Sequence, residues 1–393
     1  MTMHPRLLAM SLACSFALEA PALAQFQDRP KPAFELPRAR ERTPPRAPEP
    51  TVAWWSLGPD GTPVKAEGAD QPLPDAGARA AWTEPLRELA RADGAMLTLA
   101  DGQRLAGEIG SSGDVAAWVS PWCAPRPLGA SLDGIASITF TADAAPTASD
   151  QDALVLRNGD RIDGIVDSID AKTVTIDRGP SGKVTVELAT VASITLLAQP
   201  VPPAGARVWM VDGSVVDGPT VHWMGTDYLQ LPGIAGSKTN VFTVPRRLVT
   251  AFRSDPTSVM ALAEQRAEVL APVLGGTALV GAPSAESKGR WPMGLAPIDV
   301  QGPVVAVFPG VPASCTLRAM VFRDATARAA GSPDLVIRQG GKEVLRRTLA
   351  PTDERVEVAV PLAGGAFELE LARTDGQLAG TFAVLERAML VPR

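Results

Sequence analysis

Histidine and tyrosine are nearly absent from this chain. Its 393 residues include two histidines, one tyrosine and three cysteines. One histidine lies at position 4, so His222 in "TVHWMGTDYL" is the one left in the body of the chain. It sits beside Trp223 on an expected strand and reads as a surface or half-buried sheet histidine. No G-x-S-x-G, H-E-x-x-H or C-x-x-C occurs. The markers of serine hydrolases, zinc peptidases and thioredoxin-like proteins are therefore missing. No D-x-D-x-D-G loop offers a calcium site. "GPSGK" (179–183) has Val184 where a phosphate loop needs Ser or Thr, and it lies between two strands, so it reads as a hairpin loop.

Two further absences bear on partners. Beyond the first segment, no run approaches the 18 or so apolar residues of a membrane span. No basic block with interleaved aromatics occurs, and the net charge of −6 comes from interspersed signs, which argues against nucleic acid. The acids of the second repeat described below, Asp160, Asp163, Asp167 and Asp170, cluster at a hairpin, where acids are ordinary turn chemistry. We therefore expect no enzyme, no cofactor, no metal and no transmembrane span.

Glycine and proline are abundant, with 35 and 37 residues. Short apolar runs between such turn formers point to an all-β chain. Residues 1–24 read as a signal peptide. Arg6 gives the positive end, an apolar stretch follows, and Ala22-Leu23-Ala24 is the cleavage site. The expected location is therefore exported: periplasm, cell surface or medium. A rival reading takes "SLAC", ending at Cys14, as a lipidation site, although Ser11 stands where leucine is usual. Residues 25–50, rich in Pro, Arg and Glu, read as a disordered tether. Export permits a Cys123–Cys315 disulfide; two buried thiols is the other reading.

One hairpin is written three times: "LADGQRLAGEI" (99–109), "LRNGDRIDGIV" (156–166) and "MVDGSVVDGPT" (210–220). The first glycines, Gly102, Gly159 and Gly213, suit a two-residue turn with positive φ. The second glycines, Gly107, Gly164 and Gly218, suit a bend or bulge in the following strand. Each copy closes with an apolar strand, as in "LDGIASITF" and "LATVASITL". The expected units are 51–145 with a leading hairpin, 151–199 and 203–254. The hairpin, bent strand and closing strand resemble Sm-like small β-barrels. A short helix-like patch is expected in "WTEPLRELARA" (82–92), and a linking helix over 255–272, where Asp255 could cap and Pro256 suits the first turn.

From 273 to 393 the apolar period is two. "RVEVAVPL" and "AFELELAR" alternate strictly, and six or more such strands make a two-sheet sandwich. "GRWPMGL", "VVAVF", "GSPDLVIRQGGKEVL" and "VEVAVPLAGGAFELEL" resemble the NPCBM family, a carbohydrate-binding jelly roll often attached to glycosyl hydrolases. The resemblance covers about 110 residues. It implies a jelly roll, so with the repeats before it the expected fold is tandem small barrels or curled sheets followed by a jelly roll. It also implies a glycan or envelope polymer as ligand. Where that family has a histidine after its Gly-Leu, this chain has Ala296-Pro297; where it has a polar pair in the last strand, this chain reads "GTFAVLERAML". A scaffold of the cell envelope that contacts other envelope proteins, with sugar binding lost, is thus the alternative, and a glycosidase-associated protein a third. Most of the eight tryptophans fall in strands and are expected in cores. Trp291, in a Gly/Pro loop, is the candidate sugar platform, with Arg290 and Arg323 as candidate polar contacts.

Overall fold

The structure is a computed structural model. It describes residues 53–58, 60, 62–66, 78–90, 94–110, 116–120, 128–141, 150–224, 228–232, 241–270, 279–281, 290–323, 331–372 and 381–393. The expected signal peptide and tether, Cys14, Trp122 and Cys123 lie outside these residues.

Three strands lead: β1 (Ala53–Leu57), β2 (Pro63–Ala66) and β3 (Ala80–Glu84). The first repeat is β4 (Ala95–Leu99), β5 (Arg104–Gly110), β6 (Ala116–Val119), β7 (Leu128–Ala130) and β8 (Ile135–Thr139). The second is β9 (Asp152–Leu156), β10 (Arg161–Ile169), β11 (Thr173–Asp177), β12 (Lys183–Glu187) and β13 (Val191–Thr195). The third is β14 (Ala206–Met210), β15 (Val215–Gly218), β16 (His222–Met224), β17 (Tyr228–Pro232), β18 (Val241–Pro245) and β19 (Val249–Arg253). The third copy has one strand more because β15 and β16 together match β10, interrupted where Pro219 lacks an N–H. In every copy a one-turn 3₁₀ segment precedes the closing strand, which pairs back on the opening one: β8 on β4, β13 on β9, β19 on β14.

The two glycines of each hairpin do different work. Gly102, Gly159 and Gly213 have φ of 80°, 92° and 85°. The residue before each, Asp101, Asn158 or Asp212, accepts the backbone N–H two positions on, at 3.0, 3.0 and 2.9 Å. The second glycines mark the point where the strand folds over its neighbour. A Cβ on Gly107 would stand 2.3 Å from the Val119 carbonyl oxygen, and one on Gly164 would stand 2.4 Å from that of Asp177.

The copies are not beads on a string. β13 pairs with β8, β15 with β5, and β19 with β3, so one sheet runs β12-β11-β10-β9-β13-β8-β4-β5-β15-β14-β19-β3-β1-β2. One apolar cluster spans it, from Val174 and Ile194 through Leu97 and Ile138 to Val208 and Phe252. Side chains at matching turn positions complete the seam between the first and third copies. Gln103 Oε1 accepts the Asp217 N–H at 2.9 Å, and Ser214 Oγ accepts the Ala106 N–H at 3.1 Å. Excising residues 153–197 would strip β8 of a partner and uncover Ile135 and Ile138. The urea midpoint of the remainder is expected to fall; an unchanged midpoint would make the second copy an independent unit.

The rest of the chain is a sandwich of two antiparallel sheets. Its strands are β20 (Met260–Ala261), β21 (Glu268–Leu270), β22 (Leu279–Gly281), β23 (Ile298–Gln301), β24 (Val304–Val311), β25 (Cys315–Phe322), β26 (Asp334–Gln339), β27 (Lys342–Thr348), β28 (Arg355–Leu362), β29 (Gly365–Ala372) and β30 (Phe382–Pro392). One sheet runs β22-β23-β30-β25-β28 with β20 also on β30; the other runs β21-β24-β29-β26-β27. The strict alternation read from sequence is kept: Val356, Val358, Val360 and Leu362 point inward from β28. Each such side chain removed from water contributes about 1.5–3 kcal/mol. Phe308 and Phe367 stack at 4.9 Å in the middle. Cys315 is a buried free thiol, and burial pushes its pKa up.

Two expected helices do not form. Over 255–270 Asp255 does accept the N–H and hydroxyl of Thr257, but as a turn. Val259, Ala261, Leu262 and Ala263 are all buried, and no helix could bury so dense a run on one stripe. Met260–Ala261 pair with β30 instead and Glu268–Leu270 with β24, so the sandwich begins before residue 273. Residues 85–90 stay irregular because Leu89 is buried and its N–H donates to the Arg290 carbonyl at 2.8 Å.

Candidate functional site

The sandwich rests on one face of the long sheet, and the cross-strand register shows which residues occupy that face. Trp55 lies opposite Trp82, Trp82 opposite Ala251, Ala251 opposite Trp209, Trp209 opposite Val215, and Val215 opposite Arg104. The middle of this row packs against Met293, Leu295, Met389 and Val391 in a third apolar cluster. The ends of the row open into clefts.

The first cleft opens between the sandwich and the leading strands. Trp291, Leu295 and Pro297 form one wall; Glu84, Pro85 and Leu86 form the other. Arg355, Glu386 and Arg387 complete it. The Trp291 indole is half-buried and packs on the sandwich core. Arg387 is held in a strained backbone, with φ of 52°. The strain has a local cause: Met389 faces Arg318 but Glu386 faces Met320, so β30 carries an extra residue there. The bulge turns Arg387 toward β1 and β3. Its guanidinium lies 5.8 Å from the Trp55 ring centroid and 3.7 Å from Glu84 Oε1. Trp55 Nε1 donates to Glu84 Oε2 at 2.5 Å. Arg355 approaches Glu386 at 3.5 Å.

A second cleft shares Arg387 and is lined by Trp55, Trp82, Met320 and Met389, with Arg318 and Glu357. The two clefts share Arg387, with Trp291 in the wall of the first and Trp55 in the wall of the second. A non-glycine residue kept at positive φ costs about 1–3 kcal/mol and is retained where the surroundings impose it.

Of the three residues singled out from sequence, the structure brings only Trp291 to the clefts. Arg290 straps the sandwich to the leading segment: it donates to the Leu89 carbonyl at 2.8 Å and pairs with Glu88 at 3.0 Å. Arg323 is 3% exposed and donates to the carbonyls of Gly331 and Leu349 at 2.6 and 3.2 Å. Glu84, Arg355, Glu386 and Arg387 gave no signal in the sequence, because a bulge and a contact across some 300 residues create their meeting.

Other candidates resolve into local structure. His222 is exposed on β16 and its Nε2 meets Thr220 Oγ1 at 2.9 Å. Asp160 caps its turn with Asn158, Asp163 pairs with Arg161 at 2.6 Å, and Asp167 with Lys183 at 2.9 Å. The N–H groups of Lys172 and Thr173 lower the Asp170 pKa. Trp54, Trp82, Trp118 and Trp209 are buried, as expected of core tryptophans. Among the described residues, no three His, Cys, Asp or Glu side chains converge as a metal site would require, and no helix is long and apolar enough to cross a membrane.

No protein-family model matches this chain, and no curated protein does. Solved structures do. A CBM51 from Clostridium perfringens GH95, in complex with methyl-galactose, is similar over 34% of this chain and 99% of its own, at 13% identity and a TM-score of 0.25. Tandem CBM51 modules of a family 98 glycoside hydrolase from Streptococcus pneumoniae are similar over 61% of this chain and 88% of theirs, at 9% identity and a TM-score of 0.26. The CBM51-2 and INT domains of Clostridium perfringens ZmpB, in complex with GlcNAc, are similar over 45% and 40%, at 8% identity and a TM-score of 0.28.

Proposed function

We propose that this chain is an exported, non-catalytic binding protein that holds a saccharide of a glycan or envelope polymer in the clefts that share Arg387, walled by Trp291 and Trp55. The observation that carries the reading is the content of the first cleft. A half-buried indole shares one cleft with two carboxylates and two guanidiniums. A pyranose ring presents an apolar C–H face that stacks on indole and a rim of hydroxyls that bond planar charged groups. Glu84 already accepts from Trp55 and Glu386 already faces Arg355. Carboxylates so engaged suit the role of fixed hydroxyl acceptors better than that of an acid and base pair. Ligand capture without turnover therefore fits both residues.

The test is a screen of the full chain against neutral and acidic saccharides, followed by calorimetric titration. The expected dissociation constant for a short oligosaccharide is about 0.1–1 mM, weakened in Arg387→Ala. Absence of binding to every saccharide at about 10 mM would overturn the proposal. The isolated sandwich is the wrong sample, because Trp55 and Glu84 would be lost with the leading strands.

A further inference from the structure

The long sheet ends at β12, whose one strand partner among the described residues is β11. Such an edge presents a row of unpaired N–H and C=O groups, and folded proteins guard it. The other free edges among the described residues are guarded. β2 opens on Pro63, β18 ends on Pro245 and β28 carries Pro361, and a proline has no N–H to offer. β27 has a bulge against β26 and three cations, Lys342, Arg346 and Arg347. β7, β16, β21 and β22 are three residues long. β12 has five residues, no proline and an unbroken register with β11.

The register also shows which backbone groups are free. In an antiparallel pair, hydrogen-bonded and non-hydrogen-bonded positions alternate. The Leu188 N–H donates to the Lys172 carbonyl at 2.7 Å, and the Arg178 N–H donates to the Gly182 carbonyl at 3.1 Å. Residues 182, 184, 186 and 188 therefore turn their backbone groups to β11. Lys183, Thr185 and Glu187 turn theirs away from the sheet. The Glu187 carbonyl accepts the Thr190 hydroxyl at 2.7 Å and keeps a second lone pair. Lys183 reaches Asp167 at 2.9 Å, with both side chains exposed, and its ammonium has donors left for a second carboxylate.

The edge reads Lys-Val-Thr-Val-Glu, and this order is complementary to its own reverse. We infer that β12 pairs antiparallel with β12 of a second copy of this chain, about a two-fold axis at Thr185. Such an isologous contact closes and does not propagate. Lys183 then lies opposite the partner's Glu187, and Glu187 opposite the partner's Lys183. All the free N–H and C=O groups of both strands are joined, in about six hydrogen bonds. On the core face, half-buried Val184 meets the partner's Val186, which extends the rows from Ile176 and Val174 and covers both valines. On the other face the Thr175–Thr185 hydroxyl contact, 3.2 Å long, continues into the partner's Thr185. Sliding one strand by two residues leaves about four hydrogen bonds and no ion pair, and sliding it by four sets like charges face to face. One five-residue ladder is small beside the roughly 1,200–2,000 Å² of stable complexes, so the dissociation constant should be about 10–100 µM. β12 is at the opposite end of the sheet order from β1 and β2, so the association does not depend on the saccharide reading.

Sedimentation velocity of the full chain from about 5 to 500 µM tests the pairing. The expected result is a reversible monomer–dimer equilibrium. Thr185→Pro removes the central N–H, which faces away from β11, so the chain keeps its own ladder and its melting temperature but should stay monomeric. Lys183→Glu and Glu187→Lys should each weaken the dimer about tenfold. The double variant Lys183→Glu/Glu187→Lys should restore it. An equimolar mixture of the two single variants should also dimerise, because each strand presents the charges the other lacks, and this result requires both variants to be folded. A chain that is monomeric at about 500 µM would overturn the inference. So would a dimer unchanged by Thr185→Pro, or a double variant no more associated than the single ones.

Discussion

Gly107→Val should destabilise the chain by about 3 kcal/mol or more. The reason is space. A Cβ at this position would sit 2.3 Å from the Val119 carbonyl oxygen and 2.7 Å from Trp118 Nε1. Neither can give way cheaply. Val119 is on β6, hydrogen-bonded in register with β5, and Trp118 is 1% exposed in the shared core. The strand would have to unfold from its neighbour. Gly159→Ala is the contrast. Nothing lies within 4 Å of its Cβ, so its cost is that of a positive φ alone, about 1–2 kcal/mol. Urea unfolding of the two variants measures both. Equal losses would show that the second glycine is a flexible joint and that strand crossing does not select it.

Trp291→Ala should lower saccharide affinity by about a hundredfold, while Trp291→Phe keeps part of it. Truncation removes the stacking wall and opens the cleft to water. The indole is half-buried against the sandwich core, so some stability will be lost too. The phenylalanine variant separates the two effects: it restores packing and a flat face but with less area. Unchanged affinity in the alanine variant would remove Trp291 from the site. Arg387→Ala acts through a different contact. It breaks the bridge to Glu84 and uncovers Trp55, so longer oligosaccharides that reach both tryptophans should lose more than monosaccharides.

The repeats were legible because their determinants are local. An Asx turn, a glycine at positive φ and a glycine at a crossing each leave a mark within eleven residues of sequence. The sandwich strands were legible for the same reason, since alternation such as Val356, Val358, Val360 is written in adjacent letters. What joined the copies was not. Gln103 and Ser214 looked like neutral variation at the position of Asp160. In the structure they are buried in the seam between the first and third copies, whereas Asp160 faces solvent. The two expected helices failed because capping residues also make turns, and tertiary burial of Val259 through Ala263 decided between the two.

The site was legible at one residue only. A tryptophan in a Gly/Pro loop stands out in sequence, and Trp291 does line the cleft. Arg290 and Arg323 were equally visible as charges near it, but sequence cannot show that backbone carbonyls consume their donors. Arg387 sits within an apolar last strand, where a bulge is invisible without the partner strand.

The saccharide site is the central claim, and the indole N–H resonances of the eight tryptophans test it most directly. Titration of the full chain with the best saccharide from the screen should shift the Trp291 and Trp55 resonances saturably, with one dissociation constant, and leave Trp118 in place. Saccharide binding that leaves Trp291 and Trp55 unmoved would contradict the account.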